Sequence, residues 1–147
     1  MPGEALSGEE RRMIDELAQA LMPMGLTPIE ARVQALLTIS LEPLTLDAMA
    51  GKLRVAKSSV SVAARELERH GAAERFTERG SKRIRYGIVT HGGGFLAAQV
   101  EFLGTMGALL HRLAAGSAQD ATSARLLDMG NFHLRVRDAL AGALGHR

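Results

Sequence analysis

"LRVAKSSVSVAARELERHG", residues 53–71, decides how this chain is read. Each residue of an α-helix advances about 100° around the axis. On that wheel Val60, Ala63, Ala64 and Leu67 share one side, while Ser58, Val62, Arg65 and Arg69 share the other, with Ser61 nearby. The first set is a core stripe. The second combines hydroxyls and guanidinium groups with one valine turned the wrong way. A helix is expected over about 57–70, with Gly71 as its left-handed stop.

The flanking segments read as further short elements. Ser7-Gly8-Glu9-Glu10 has the form of a capping box, and Met13, Ile14, Leu17 and Leu21 follow at helical spacing before Pro23, so a helix is expected over about 8–22. Thr27-Pro28-Ile29-Glu30 repeats that signature with proline at the first helical position, which predicts a helix to about residue 41. Glu42-Pro43-Leu44 breaks it. Thr45 then caps a short helix with Asp47 in its first turn, where the helix dipole favours an anion. Residues 54–56 make a tight connection into the helix at 57.

Beyond Gly71 the period changes. Ile84, Tyr86 and Ile88 alternate with Arg83, Arg85 and Gly87, the pattern of a strand with one apolar and one basic face. Residues 73–78 supply a weaker partner strand across a turn at Arg79-Gly80-Ser81. His91-Gly92-Gly93-Gly94 breaks the pattern again and reads as a flexible joint. Two helical stretches follow, about 95–115 and 120–143. Phe95, Phe102, Met106, Leu109 and Leu113 mark the first, and Leu126, Leu127, Phe132, Val136, Leu140 and Leu144 mark the second.

The fold class is therefore mainly α with a small β-hairpin wing, a winged helix-turn-helix with added N- and C-terminal helices. The expected division is 1–26 for an N-terminal helix, 27–90 for the winged helix and 91–147 for the C-terminal helices.

Composition narrows the function. The 147 residues contain no cysteine, which removes disulfides, cysteine-based zinc sites and thiol redox sensing. No secretory signal and no apolar run of membrane length appear, so a soluble cytoplasmic protein is expected. Net charge is only +2, but it is unevenly spread: residues 1–51 carry −5, 52–91 carry +6 and 92–147 carry +1. A local basic footprint points to nucleic acid more directly than the total does. Arginine reads guanine through paired bonds, serine reaches bases or phosphates, and a small apolar group meets a thymine methyl. The expected DNA-contacting set is Lys57, Ser58, Ser59, Ser61, Val62, Arg65 and Arg69 on the helix, with Arg79, Lys82, Arg83 and Arg85 on the hairpin. The plainer reading makes Ser58 an N-cap and pairs Arg65 and Arg69 with Glu66 or Glu68 on a solvated face.

Enzyme chemistry finds little support. Gly92-Gly93-Gly94 follows a strand but lacks the spacing and the Lys-Ser/Thr of a phosphate loop. The five histidines are scattered, and none stands with a carboxylate at metal-ligand spacing. His111 and His133 could meet across a helical hairpin, though a surface or core role is commoner. No cofactor or metal is expected.

The span "MGLTPIEARVQALLTISLEPLTLDAMAGKLRVAKSSVSVAARELERHGAAERFTERGSKRIRYGIV", within about residues 24–90, resembles the winged-helix core of MarR-type transcriptional regulators, most closely the GbsR-like branch. The carriers are "GLTPIEARV", "EPLTLDAMA", "KSSVSVAARELERHG" and "ERGSKRIRY". The resemblance implies a homodimeric transcription factor whose interface uses N- and C-terminal helices, acting on a pseudo-palindromic operator in double-stranded DNA. It matches Lys57, Ser58, Ser59, Ser61 and Arg65 to the recognition helix, and Gly80, Lys82, Arg83 and Tyr86 to the wing. Tyr86 shares strand parity with Ile84 and Ile88, so packing is its first expected role. After His91 the glycine run and alanine-rich tail do not align with the family.

A dimer also follows from surface: the helices outside the winged core have more apolar face than that core covers, and a two-fold partner is the commonest remedy. An intrachain hairpin is the other remedy, and the two are compatible. A small-molecule effector is left open. The few aromatics, Phe76, Tyr86, Phe95, Phe102 and Phe132, argue against a quaternary-ammonium cage. The alternative function is a winged-helix protein-interaction module without specific DNA binding.

Overall fold

In the computed structural model, which describes residues 5–91 and 93–145, the element order is α1 (Gly8–Leu21), a 3₁₀ turn (Met22–Met24), α2 (Pro28–Ile39), β1 (Leu44–Thr45), α3 (Leu46–Leu53), α4 (Lys57–Arg69), β2 (Ala73–Thr77), β3 (Ile84–Ile88), α5 (Phe95–Gly116) and α6 (Asp120–Gly145). Two compact units result, Met1–Gly94 and Phe95–Arg147.

The helix starts form as their residues dictate. Ser7 Oγ accepts from the Glu10 N–H at 3.1 Å, and the Glu10 carboxylate accepts from the Ser7 N–H at 2.9 Å. Thr27 and Glu30 close the same reciprocal box at 3.2 and 3.1 Å. Thr45 Oγ1 accepts from the Ala48 N–H at 3.1 Å. Each box satisfies donors that the helix itself leaves unpaired. The end of α4 is equally well made: Gly71 takes φ +78°, its N–H reaches the Glu68 carbonyl at 3.0 Å, and the Ala72 N–H reaches the Leu67 carbonyl at 2.8 Å. These are the two bonds of a Schellman stop. The end of α3 departs from that habit. Arg54, not glycine, occupies the left-handed region there, at φ 58° and ψ 47°.

The first unit packs around Ile14, Val33, Leu36, Leu37, Met49, Val60 and Leu67, all essentially excluded from solvent. The stripe Val60, Ala63, Ala64 and Leu67 is buried as the helical wheel requires. The wing is a three-stranded antiparallel sheet ordered β1-β3-β2, with Leu44 opposite Tyr86 and Thr45 opposite Arg85 on one side, and Ala73 opposite Ile88 through Thr77 opposite Ile84 on the other. The sequence reading has only two of these strands. Residues 44–45 are too few to show a period, and their strand exists only because β3 has a free edge beside them. Gly93 and Gly94 are not a bare joint: a Cβ at Gly93 would run into the Gly71 carbonyl, and one at Gly94 would lie 3.2 Å from Ala72 Cβ. Both glycines pack against the turn that ends α4.

The second unit is a helical hairpin of α5 and α6. Its tightest contacts are made by small residues, while five of the large apolar residues that mark the helices in the sequence, Phe95, Phe102, Leu113, Leu127 and Phe132, stay exposed. Gly107, Leu110 and Ala114 are the buried residues of α5, and Gly130 is the buried residue of α6. A Cβ at Gly107 would fall 2.5 Å from Leu134 Cδ2, and one at Gly130 would fall 2.5 Å from His111 Cδ2 and 3.3 Å from the Gly107 carbonyl oxygen. The backbones approach so closely that glycine is required on both sides. Gly130→Leu is therefore expected to destabilise the hairpin by about 1–3 kcal/mol through overpacking. Gly107→Ala would set its Cβ 2.5 and 2.7 Å from Leu134 Cδ2 and Cγ and 3.3 Å from the Gly130 carbonyl oxygen, so a gain in helix propensity of about 1 kcal/mol offsets only part of the crowding, and a smaller loss than for Gly130→Leu is expected. Thermal melts of the two variants followed by helical circular dichroism check the difference. Among the described residues no helix is long and apolar enough to cross a membrane.

Candidate nucleic-acid interface

The core stripe of α4 dictates what its other face offers. Val62 is 55% exposed despite being apolar. Ser58, Ser59, Arg65 and Arg69 are also exposed, and Ser61 is half-buried. The N-cap of α4 is Ala56, which has no side-chain oxygen to offer the first-turn N–H groups; its carbonyl accepts from the Ser59 and Val60 N–H groups. Ser58 is thus not the cap. It stands one residue inside the helix, where hydroxyls and unpaired N–H groups together suit an anion.

The cations of this region divide into two sets. Three of the expected contacts carry carboxylate partners. Lys57 Nζ lies 3.2 Å from Asp47 Oδ1, Arg69 Nη2 lies 2.7 Å from Glu66 Oε2, and Arg85 Nε lies 3.1 Å from Glu78 Oε1. The Arg69 guanidinium, and secondarily His70, holds the Glu66 carboxyl below its ordinary range. The plain reading of α4 therefore holds for Arg69. It does not hold for Arg65, whose Nε donates to the Ser61 carbonyl at 3.3 Å along its own helix. Among the described residues no carboxylate lies within ion-pair range of Arg65, Arg79, Lys82 or Arg83.

The wing and the helix starts meet in a groove of about 210 Å³. Lys57, Lys82 and Arg83 line it with Asp47 and Thr45. The turn that carries Lys82 and Arg83 is shaped by Gly80 at φ +79°, by the Ser81 N–H on the Glu78 carbonyl at 3.1 Å, and by Ser81 Oγ accepting from the Arg83 N–H at 3.0 Å. These local bonds hold two unpaired cations at the rim. Such an arrangement can neutralise phosphates while the exposed face of α4 meets base edges.

Tyr86 sits elsewhere. It is 3% exposed in the central strand and belongs to the core cluster. Burial, then the nearby Glu68 carboxylate, raises its phenol above the ordinary value.

Two participants escaped the sequence reading. Asp47 reads from sequence as a dipole partner for α3, yet it also pairs with Lys57, ten positions on. Arg75 pairs with Glu68 at 3.6 Å, a contact between α4 and β2 that no local spacing announces. The histidines of the hairpin do not meet each other: His111 Nε2 lies 2.8 Å from Asn131 Oδ1, and His133 Nδ1 lies 2.8 Å from the Met129 carbonyl. Among the described residues no group of three His, Asp or Glu side chains is placed to hold a metal.

Secondary structure, sheet order and wing together define a winged helix-turn-helix with appended helices. No family model matches the chain, and no curated protein matches it. Among the solved structures similar to the chain is the crystal structure of a transcriptional regulator, at a TM-score of 0.68 and 23% identity over 93% of this chain and 96% of that one. The likeness extends through both units and bears on the fold.

Proposed function

We propose that this chain is a sequence-specific regulator of transcription that binds double-stranded DNA as a homodimer, of the MarR type and its GbsR-like branch. The observation that carries the reading is the exposed row of Ser58, Val62 and Arg65 on α4 beside a wing whose Lys82 and Arg83 have no carboxylate partner among the described residues. In this reading α4 enters the major groove, and the wing follows the adjacent backbone or minor groove. Arg65 and Val62 read bases. Ser58, Ser59, Lys82, Arg83 and Arg79 hold register on phosphate, with Lys57, Arg69 and Arg85 joining when DNA displaces their carboxylates. The alternative, a winged-helix protein-interaction module, needs none of these groups unpaired.

Gel-shift titration of duplex DNA over a salt series tests the proposal. Affinity is expected to fall steeply with salt as counterions are released. Lys82→Ala is expected to weaken all sequences alike and to flatten the salt slope by about 0.9. Arg65→Ala is expected to cost about 1–3 kcal/mol at the preferred site and to relax its sequence preference. Negligible binding to every duplex, flat in salt, would leave the interaction module as the better reading.

The dimer reading rests on the hairpin. Phe95, Phe102, Leu113 and Phe132 are 47, 51, 50 and 58% exposed, an unusual number of large apolar side chains to leave in water. A two-fold partner covering them would set two recognition helices about one DNA turn, or a multiple of it, apart. Phe132→Glu combined with Phe102→Glu is expected to convert a dimer to monomer in sedimentation velocity. A wild type that sediments as a monomer at all concentrations would remove this part of the proposal.

A further inference from the structure

Behind the helix-turn-helix, α1, α2 and the end of α3 enclose a second, smaller pocket of about 70 Å³. Its walls are unlike those of the DNA-facing groove. Buried Leu6, Ile14 and Leu53 supply apolar surface. Arg11, Arg32, Lys52 and Arg54 line it as well, against the single carboxylate of Asp15.

The gathering of positive charge is unexpected for this part of the chain. Residues 1–51 carry only three basic side chains and a net charge of −5, yet two of the three, Arg11 and Arg32, converge here with two more from the end of α3. Among the described residues none of Arg11, Arg32 and Arg54 has a carboxylate within ion-pair range. Like charges so gathered repel unless an anion joins them. Their hydrogen bonds leave donors to spare. Arg11 Nε donates to the Leu6 carbonyl at 3.4 Å, and Arg32 Nη2 donates to the Leu53 carbonyl at 3.2 Å, each using one of a guanidinium's five N–H donors.

We propose that this pocket binds a short-chain carboxylate, its charged end held by Arg11, Arg32 and Arg54 and its alkyl end against Leu6 and Leu53. The volume is several times the roughly 10–15 Å³ that one water requires, enough for a group of a few heavy atoms. The apolar wall favours an alkyl carboxylate over inorganic phosphate, and guanidinium groups match a carboxylate in paired geometry.

The pocket also adjoins the turn that aims the recognition helix. Arg32 holds the last carbonyl of α3, and Arg54 takes the left-handed conformation at the C-cap of α3, three residues before α4 begins. A carboxylate that draws either guanidinium toward itself alters this turn. That consequence rests on the DNA-binding reading above, whereas the binding itself does not.

Titration of the ¹⁵N-labelled protein with sodium propionate, against sodium chloride at equal ionic strength, tests the site. Saturable amide shifts are expected at Leu53, Arg54 and Val55. Arg11→Gln and Arg54→Gln are each expected to weaken propionate about tenfold or more, the loss of a charge-assisted bond. Arg11 is exposed and its substitution leaves the core intact. Shifts that chloride reproduces, that never saturate, or that survive both variants unchanged would overturn the proposal. Tighter binding of inorganic phosphate than of propionate overturns the assignment to an alkyl carboxylate. For the coupling, saturating propionate is expected to change operator affinity by about fivefold or more, and an unchanged affinity overturns it. Failure to bind any duplex would sink the DNA reading while the propionate shifts still stood.

Discussion

Tyr86→Ala is expected to cost the winged unit about 3–5 kcal/mol, the range for emptying a buried aromatic site. In a unit of this size that corresponds to a fall in Tm of more than about 12 °C. Tyr86 lies in the central strand, paired to Leu44 on one edge and Arg75 on the other, and is 3% exposed. Its ring therefore joins β1, β2 and the helical core at once. Tyr86→Phe keeps the ring and is expected to stay within about 1 kcal/mol of the parent. It is also expected to bind DNA as the parent does, because the wing contacts proposed above lie at Arg79, Lys82 and Arg83. Tyr86→Phe losing DNA affinity with unchanged stability would mean that the phenol is a contact after all.

The raised phenol of Tyr86 carries a pH dependence whose sign follows directly. Burial favours the neutral form in the folded chain, while the unfolded chain ionises near the ordinary value of 10.0. This contribution to stability is complete below that value and is lost as pH rises through the higher folded value. Alkaline denaturation of the parent is therefore expected to be shallower in Tyr86→Phe.

Leu67→Ala and Val62→Ala should separate the two faces of α4 with opposite results. Leu67 is 1% exposed, so its truncation is expected to cost about 2–5 kcal/mol as transfer energy and cavity add. Val62 touches solvent, so its truncation is expected to change stability by no more than about 0.5 kcal/mol. The DNA readouts reverse. Val62→Ala is expected to lose affinity at sites that place a thymine methyl against it. Leu67→Ala, at a temperature where it remains folded, is expected to keep the sequence preference. Chemical denaturation with gel shifts on the same preparations provides both measurements. A Val62→Ala variant that is as unstable as Leu67→Ala would put the wheel one step out of register.

Much of the first unit is legible in the chain because its signals are local. Ser7 with Glu10, and Thr27 with Glu30, are three residues apart and form the boxes their spacing predicts. The alternation of Ile84, Tyr86 and Ile88 needs only its own strand to be read. Arg69 shows where local reasoning stops. The same wheel position suits a groove contact or an ion pair with Glu66, and the side chain takes the pair at 2.7 Å. Nothing in the spacing separates Arg69 from Arg65, which has no such partner among the described residues. The difference lies in Glu68, three residues on from Arg65, which faces Arg75 of β2 at 3.6 Å instead.

The second unit was less legible. Large apolar residues at helical spacing suggest the packed face, but Phe102, Leu113 and Phe132 are about half exposed while Gly107 and Gly130 are buried. A glycine in a helix reads from sequence as a cost in propensity. Its value appears only when a second helix comes close enough to need the missing Cβ.

What the sequence by itself determined is whatever one element can settle alone. It determined where helices start and stop, that Val60 and Leu67 are buried while Val62 is not, and that the basic charge collects in residues 52–91. The tertiary structure decided what depends on distant residues meeting. It paired β1 with β3, set Asp47 on Lys57, brought Arg11 and Arg32 to the end of α3, and seated Gly130 against His111. Capping and periodicity act within a few residues and leave a pattern in the chain. Strand pairing, charge pairing and helix approach act between segments far apart, and no short-range pattern records them.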